Sequence, residues 1–331
     1  MIEILYTGPL NTIQDLGRPG YRDIGVTASG AMDPLALRIA NLLVGNDEGA
    51  AAIEVQTFPF RLRFSAATTF AVTGGGRAAL DGITLPSWWS QTAGAGQVLE
   101  ILPFPPSARA YIACAGGIDV PLVLGSRSTS LRGTFGGIDG RFLMNGDMLQ
   151  LGGPVPAVFA ADGLGVVPPA TALSALFPVE ADGTLLVRAL PAGEHDLFGA
   201  DAERFWSQSW KISSQSDRTG YRLSGEPVRP TAPVEMRSYG IVPGVVQVPP
   251  GGEPIVQMSD ANTAGGYPKI AGVLEADLGR LGQARIGSRL RFVRSSHAEA
   301  RTLDHAIAAY VNDVRNTSQM VARALKTMAG R

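Results

Sequence analysis

The chain has 331 residues, of which 45% are hydrophobic and 17% charged, with a net charge of -1. That length suits about two domains with a substantial core. The apolar content excludes a disordered chain, and the balanced charge excludes strong attraction to nucleic acid or an anionic membrane. Gly 41 and Pro 23 within an apolar chain point to many short strands rather than long helices. The one cysteine, Cys114, excludes an intrachain disulfide framework and a Cys-based zinc site. It lies in an apolar strand-like run and reads as a small core residue. No basic, then apolar, leader opens the chain, and no apolar run is long enough to span a bilayer. A soluble cytoplasmic protein is expected.

Met1 to Tyr6 reads as an opening strand, followed by the turn-rich stretch TGPLNTIQDLGRPGYR (7–22). Asp33 and Pro34 form a helix start, with Asp as N-cap and Pro at the first helical position. Leu35, Ile39, Leu42 and Leu43 then recur at helical spacing, and Gly45 closes the helix. From Ala51 the pattern is β, with runs at 52–55, 61–64, 69–72, 97–102 and 110–115. Residues 116–140 form a long glycine-rich polar loop, GGIDVPLVLGSRSTSLRGTFGGIDG, in which Arg127, Ser128 and Thr129 are candidates for binding an anion. No Walker loop is present.

Residues 153–182 are rich in Pro, Ala and Gly and read as a linker. The expected divisions are a first β-barrel domain at 1–155, a linker-like segment at 156–184, a second barrel at 185–295 and a helical tail at 296–331. His195 stands beside Glu194 and Asp196 and reads as a surface residue. His297 and His305 read as solvated, and no structural metal is expected. QDLGRPGYR (14–22) and QSDRTGYR (215–222) share Arg, Gly, Tyr and Arg at a constant offset of 200 residues. A second rhyme, 96–101 against 287–292, joins it in suggesting two related β-domains in tandem. From His297 apolar residues recur at three and four, predicting a C-terminal helix with a break near Asn316–Ser318.

The densest polar motif is DANTAGGYP (260–268), set between the strand-like runs 254–258 and 270–274. Asp260, Asn262, Thr263, Gly265, Gly266 and Tyr267 suit recognition of a small polar molecule. The apolar strand is expected to deliver Asp260 to the surface, and the glycines to supply positive φ or close approach. Gln247 lies on the strand VVQVP (245–249) just upstream.

TIQDLGRPGYRDIGV (12–26), SGAMD (29–33), ANLLVGN (40–46), YIACAGGIDVPLVLGSRST (111–129), SDRTGYRL (216–223) and the stretch from VPGVVQVPPGGEPIV to TAGGYPKI together resemble the biotin-dependent carboxyltransferase family. That family is also called allophanate hydrolase subunit 2 or KipA-like. The resemblance runs from about residue 3 to residue 295. It implies a mainly β fold of two tandem cyclophilin-like β-barrels with a few short helices, and a KipI-like partner. Where the family has Gln-Thr-Thr before Gly-Gly-Tyr-Pro, this chain has Asn262, Thr263 and Ala264.

Three functions fit that resemblance. The first is a component of an ATP-dependent amide or lactam hydrolase of the 5-oxoprolinase type. It would be inactive without its two companions, a KipI-like B-type subunit and a LamB/YcsF-like A-type subunit. In that reading Arg18, Arg218 and the N–H groups of Gly265 and Gly266 stabilise an oxyanion. Asp15, Asp217 or Asp260 orients water or accepts a proton, while Tyr221 and Tyr267 contact the substrate. ATP is bound largely by the companion chains. The second is carboxyl transfer from carboxybiotin to urea or a related amide. Biotin would arrive on another chain, because the lysines Lys211, Lys269 and Lys326 include no Met-Lys-Met site. The third is a non-enzymatic regulator that binds a kinase inhibitor.

Overall fold

The computed structural model describes residues 1–104, 107–153 and 163–329. It is mainly β and divides into two compact units: Met1–Arg18, Ser29–Ala172 and Ala308–Arg331 form unit 1, and Pro19–Ala28 with Leu173–Ile307 form unit 2. The change of unit at 172–173 falls inside the expected linker, whose residues 156–162 lie outside the described residues.

Unit 1 holds two six-stranded antiparallel sheets. The first runs Met148–Leu149, Ile2–Tyr6, Phe60–Phe64, Val98–Leu102, Arg77–Leu80, Ile83–Thr84. The second runs Leu164–Gly165, Trp89–Ala93, Thr68–Gly74, Ala110–Cys114, Ala52–Val55, Thr12–Gln14. Their inner faces share one core that includes Ile2, Leu62, Ile53 and Ile112, with the Phe64 and Phe70 rings 5.1 Å apart. Phe60–Phe64 alternates buried and exposed residues, as a strand with one wet face must. Ala110–Cys114 is buried throughout. The helix Pro34–Leu43 lies over that part of the second sheet, and Thr73 Oγ1 donates to Ala36 O at 2.7 Å. The helix begins as its sequence dictates, with Asp33 Oδ1 accepting from Ala36 N at 3.1 Å. Cys114 is fully buried and its thiol pKa is pushed up to about 12 by desolvation.

Unit 2 is a closed seven-stranded barrel: Leu185–Pro191, Lys269–Val273, Val245–Gln247, Ile255–Gln257, Gly220–Ser224, Trp210–Ile212 and Arg289–Arg294. Arg289–Arg294 closes the ring by pairing in parallel with Leu185–Pro191. The helix Ala200–Ser207 covers one part of it, stacking Phe205 on Phe292 at 4.5 Å. The helix Glu275–Gln283 delivers Asp277, fully buried, to two arginines. Asp277 accepts from Arg188 N, Nε and Nη2 at 2.8, 2.9 and 2.8 Å and from Arg280 Nη1 at 2.7 Å. Burial alone raises the Asp277 pKa, but the Arg188 hydrogen bonds and the Arg280 charge outweigh it and hold the carboxyl below its ordinary value.

The rhyme between 96–101 and 287–292 has a structural counterpart. Gly96 and Gly287 both take positive φ, 84° and 87°, just before a strand. The Arg-Gly-Tyr-Arg rhyme has none. Gly220–Ser224 is a barrel strand, whereas Gly20 has φ 94° and leads into the 3-10 turn Arg22–Ile24. Four shared residue types did not impose a shared backbone. The C-terminal helix runs unbroken from His297 to Ala329, through Asn316–Ser318. Leu303, Val311 and Val314 form its buried stripe.

Candidate active site

The expected site residues of unit 1 gather around one carboxylate. Asp15 is 7% exposed, and its oxygens accept from Gly17 N at 2.7 Å and from Ser126 Oγ, Arg127 N and Ser128 Oγ at 2.6 Å each. Arg127 turns its side chain to Val120 O and Asp119, and Thr129 Oγ1 donates to Ile13 O. Arg18, 1% exposed, binds Ser128 O and Val123 O and stands over the Phe135 ring. These groups fasten the glycine-rich loop to the strand Thr12–Gln14. A cleft of about 230 Å³ opens elsewhere in unit 1, beside Gly75, Leu85, Trp88 and Phe104. Among the described residues, Arg77 is the only charged one that lines it.

In unit 2, Asp260 is not at the surface. It is 6% exposed, accepts from Arg218 Nε at 2.9 Å and Nη2 at 3.5 Å, and its own N–H donates to Arg218 O. The loop after Gln257 turns inward because Ala261 N bonds back to Met258 O, so the carboxylate meets the guanidinium instead of water. Asp217 caps its own turn, accepting from Thr219 N at 2.7 Å and Gly220 N at 3.1 Å. Tyr221 is buried in the barrel wall.

The rest of the motif forms one end of the barrel. Ala264–Gly265 pairs with Tyr239–Gly240 as a two-stranded ribbon. Arg22 ties this ribbon down from the Pro19–Ala28 segment of the same unit, donating to Ile241 O and to Asn262 O. Thr263 O accepts from Ile241 N at 3.1 Å. Neither Gly265 nor Gly266 has positive φ. Gly265 is needed for close approach: a Cβ there would stand 2.4 Å from Gln247 Nε2. Gly266 likewise lies against Met236 O and Ser238. Gln247 accepts at Oε1 from Gln257 Nε2 at 3.1 Å, and both glutamines are buried. Tyr267 is 46% exposed at the rim.

Three residues here escaped the reading of the sequence. Lys269 is 3% exposed; its Nζ donates to Gly265 O at 3.0 Å and sits 3.3 Å from the centroid of the Tyr239 ring. The Tyr239 hydroxyl donates to Glu194 Oε1 and Oε2 at 2.7 and 2.9 Å, and Lys269 N donates to Glu194 Oε2 at 3.1 Å. Burial, with the Glu194 hydrogen bond and charge, pushes the Tyr239 pKa up to about 12. Desolvation holds the Lys269 ammonium below its ordinary pKa, against the opposing pull of Glu194. Lys269 directly follows Gly-Gly-Tyr-Pro, the one sequence signal that pointed to it. His195, expected at the surface, has a side chain only 14% exposed and accepts from Trp206 Nε1 at 3.1 Å.

A barrel end that collects an ammonium, a carboxylate, a phenol and two amides is equipped to bind and polarise a small polar molecule. The description "carboxyltransferase domain, subdomain A and B" matches residues 24–294, and the chain belongs to that family. Within the family it is similar along nearly its whole length to the C subunit of 5-oxoprolinase. It is 42% identical over 308 residues to that protein of Escherichia coli (strain K12), covering 91% of this chain and 93% of the relative. For the protein of the same name from Haemophilus influenzae the figures are 39%, 95% and 98%. Among solved structures, the K. lactis urea amidolyase superposes with a TM-score of 0.83 at 31% identity over 95% of this chain. The chain spans 20% of that larger protein.

Proposed function

We propose that this chain is the C-type subunit of an ATP-dependent 5-oxoprolinase, which opens 5-oxoproline to glutamate. The observation that carries the reading is the 42% identity to the C subunit of 5-oxoprolinase, which covers 93% of that relative. The Gly265 end of the barrel in unit 2 receives the substrate, with Asn262, Thr263, Gly266 and Tyr267 around it. Arg218 and Asp260 brace the loop that leads into that barrel end by binding one another and backbone, and within unit 1 Asp15, Arg18 and Arg127 brace the glycine-rich loop. Ring opening breaks the lactam C–N bond, with hydroxyl going to the carbonyl carbon and a proton to the nitrogen. ATP drives the step and is held largely by the partners, a KipI-like B-type subunit and a LamB/YcsF-like A-type subunit, in the cytoplasm.

The test is co-expression of the three chains and measurement of ATP-dependent glutamate release from 5-oxoproline. Glutamate from the full complex, and none when this chain is left out, is the expected result. No glutamate from a verified, folded complex overturns the reading. Carboxyl transfer from carboxybiotin to urea is the second reading, favoured by the 31% identity to urea amidolyase. Urea with carboxybiotin is then the next assay.

A further inference from the structure

Among the described residues, Lys269 is held differently from the buried arginines. Arg188 has Asp277, Arg218 has Asp260, and Arg109 has Glu54 at 3.8 Å. Arg18 is bound to two backbone carbonyls and the Phe135 ring. Lys269 is as buried as these, but its ammonium makes one hydrogen bond, to Gly265 O, and faces the Tyr239 ring, with no ion pair among the described residues. The nearby carboxylate of Glu194 is engaged by the Tyr239 hydroxyl and by the main-chain N–H of Lys269. A desolvated ammonium whose nearest carboxylate, Glu194, acts on it without a direct ion pair is costly to the folded state, and such groups concentrate where a ligand supplies further negative charge.

A second, independent observation lies at the same glycine. Gln247 pairs across the sheet with Lys269, and its buried Nε2 has no hydrogen-bond partner among the described residues. That nitrogen occupies the space a Gly265 side chain would fill. Two buried N–H donor groups therefore lie beside Gly265, one charged and one neutral. They match an oxygen that gains negative charge.

We infer that Lys269 is a catalytic residue and Gln247 its partner in an oxyanion site for the carbonyl oxygen of an amide substrate. When a nucleophile adds to the amide carbon, the C=O π pair moves onto oxygen, and Lys269 Nζ and Gln247 Nε2 hold it there. The Tyr239 ring, anchored through its hydroxyl to Glu194, fixes the direction of the ammonium. The identity of the amide as 5-oxoproline rests on the function proposed above; the oxyanion site is tested separately from it.

The experiment compares the wild type with Lys269→Met and Gln247→Leu in the assembled complex, reading kcat, KM and the melting temperature. Removing an oxyanion donor lowers kcat about 10²–10³-fold. Lys269→Met is expected to lose at least about 100-fold in kcat, with KM within about threefold of wild type. Its melting temperature should be equal or higher, because an apolar group removes a desolvated charge that has no direct ion pair. A kcat within about threefold of wild type overturns the proposal, as does a loss of activity matched by a loss of stability.

A second readout needs no turnover. The chain has only the lysines Lys211, Lys269 and Lys326, so ¹³Cε-lysine labelling of this chain gives three signals, with Lys269 assigned by its disappearance in Lys269→Arg. Adding 5-oxoproline is expected to move the Lys269 signal alone. If glutamate release fails but this signal moves, the function reading falls and the oxyanion site stands. If the signal moves with neither 5-oxoproline nor urea, added in a parallel sample, the oxyanion site falls whatever the turnover.

Discussion

Asp277→Asn removes one negative charge from between Arg188 and Arg280 with almost no change of shape. Four hydrogen bonds of 2.7–2.9 Å converge on the wild-type carboxylate, which is fully buried. The asparagine keeps one acceptor oxygen, and its amide nitrogen faces guanidinium hydrogens. Breaking a buried ion pair from one side costs about 3–5 kcal/mol. A domain of unit 2's size loses roughly 3 °C per kcal/mol, so the melting temperature should fall about 9–15 °C by calorimetry at pH 7. The pH dependence follows from the lowered pKa of Asp277. A carboxylate with a depressed folded pKa contributes stability that is complete above its unfolded pKa of about 3.9, and the contribution is lost as pH falls through the folded value. The gap between wild type and variant should therefore stay constant from about pH 5 to pH 8 and narrow only below about pH 4. A gap under about 1 kcal/mol at pH 7, or one that shrinks between pH 5 and pH 7, refutes the account of this cluster.

Asp15→Ala leaves Ser126, Ser128, Arg127 N and Gly17 N without their shared acceptor. At about 1–3 kcal/mol for each group left unsatisfied, urea unfolding should show a loss of at least about 3 kcal/mol; a loss under about 1 means water replaces the carboxylate. Gly265→Ala drives a Cβ into the Gln247 amide. The overpacking is expected to cost about 1–3 kcal/mol by thermal unfolding and to lower kcat at least about tenfold in the complex, so near-normal kcat counts against that barrel end as the site. Cys114, with its pKa pushed up and its thiol buried, should not react with a thiol reagent at pH 8 until the protein is unfolded by denaturant.

The helix at Pro34–Leu43 was legible because its signals are local: an Asp-Pro start and apolar residues on one face. The strands were legible for the same reason, through alternation such as Phe60, Leu62 and Phe64. Close backbone approach at the glycine pair 265–266 was legible, though the group approached by Gly265, Gln247, is a contact that residue spacing does not encode. Lys269 was not legible. A single lysine at a strand start looks like any surface lysine until Tyr239 and Glu194, far away in sequence, cover it. Asp15, Asp217, Arg218 and Asp260 have residue types that serve catalysis and loop bracing alike, and residue spacing does not reveal the partners they meet in space. His195 reads as a surface residue because its donor, Trp206, cannot be seen from residue spacing.

The two units do not follow one another along the chain. Residues 19–28 belong with 173–307, and 308–331 belong with the first 18 residues and 29–172. A ribosome delivers the polypeptide from one end, so Arg22 emerges long before Ile241 and Asn262 exist to receive it. Unit 1, begun first, gains its last segment only after unit 2 has been synthesised in full. A gene divided at residue 172 would thus encode two polypeptides that each lack a piece of their own unit, and neither would be expected to fold as an independent module.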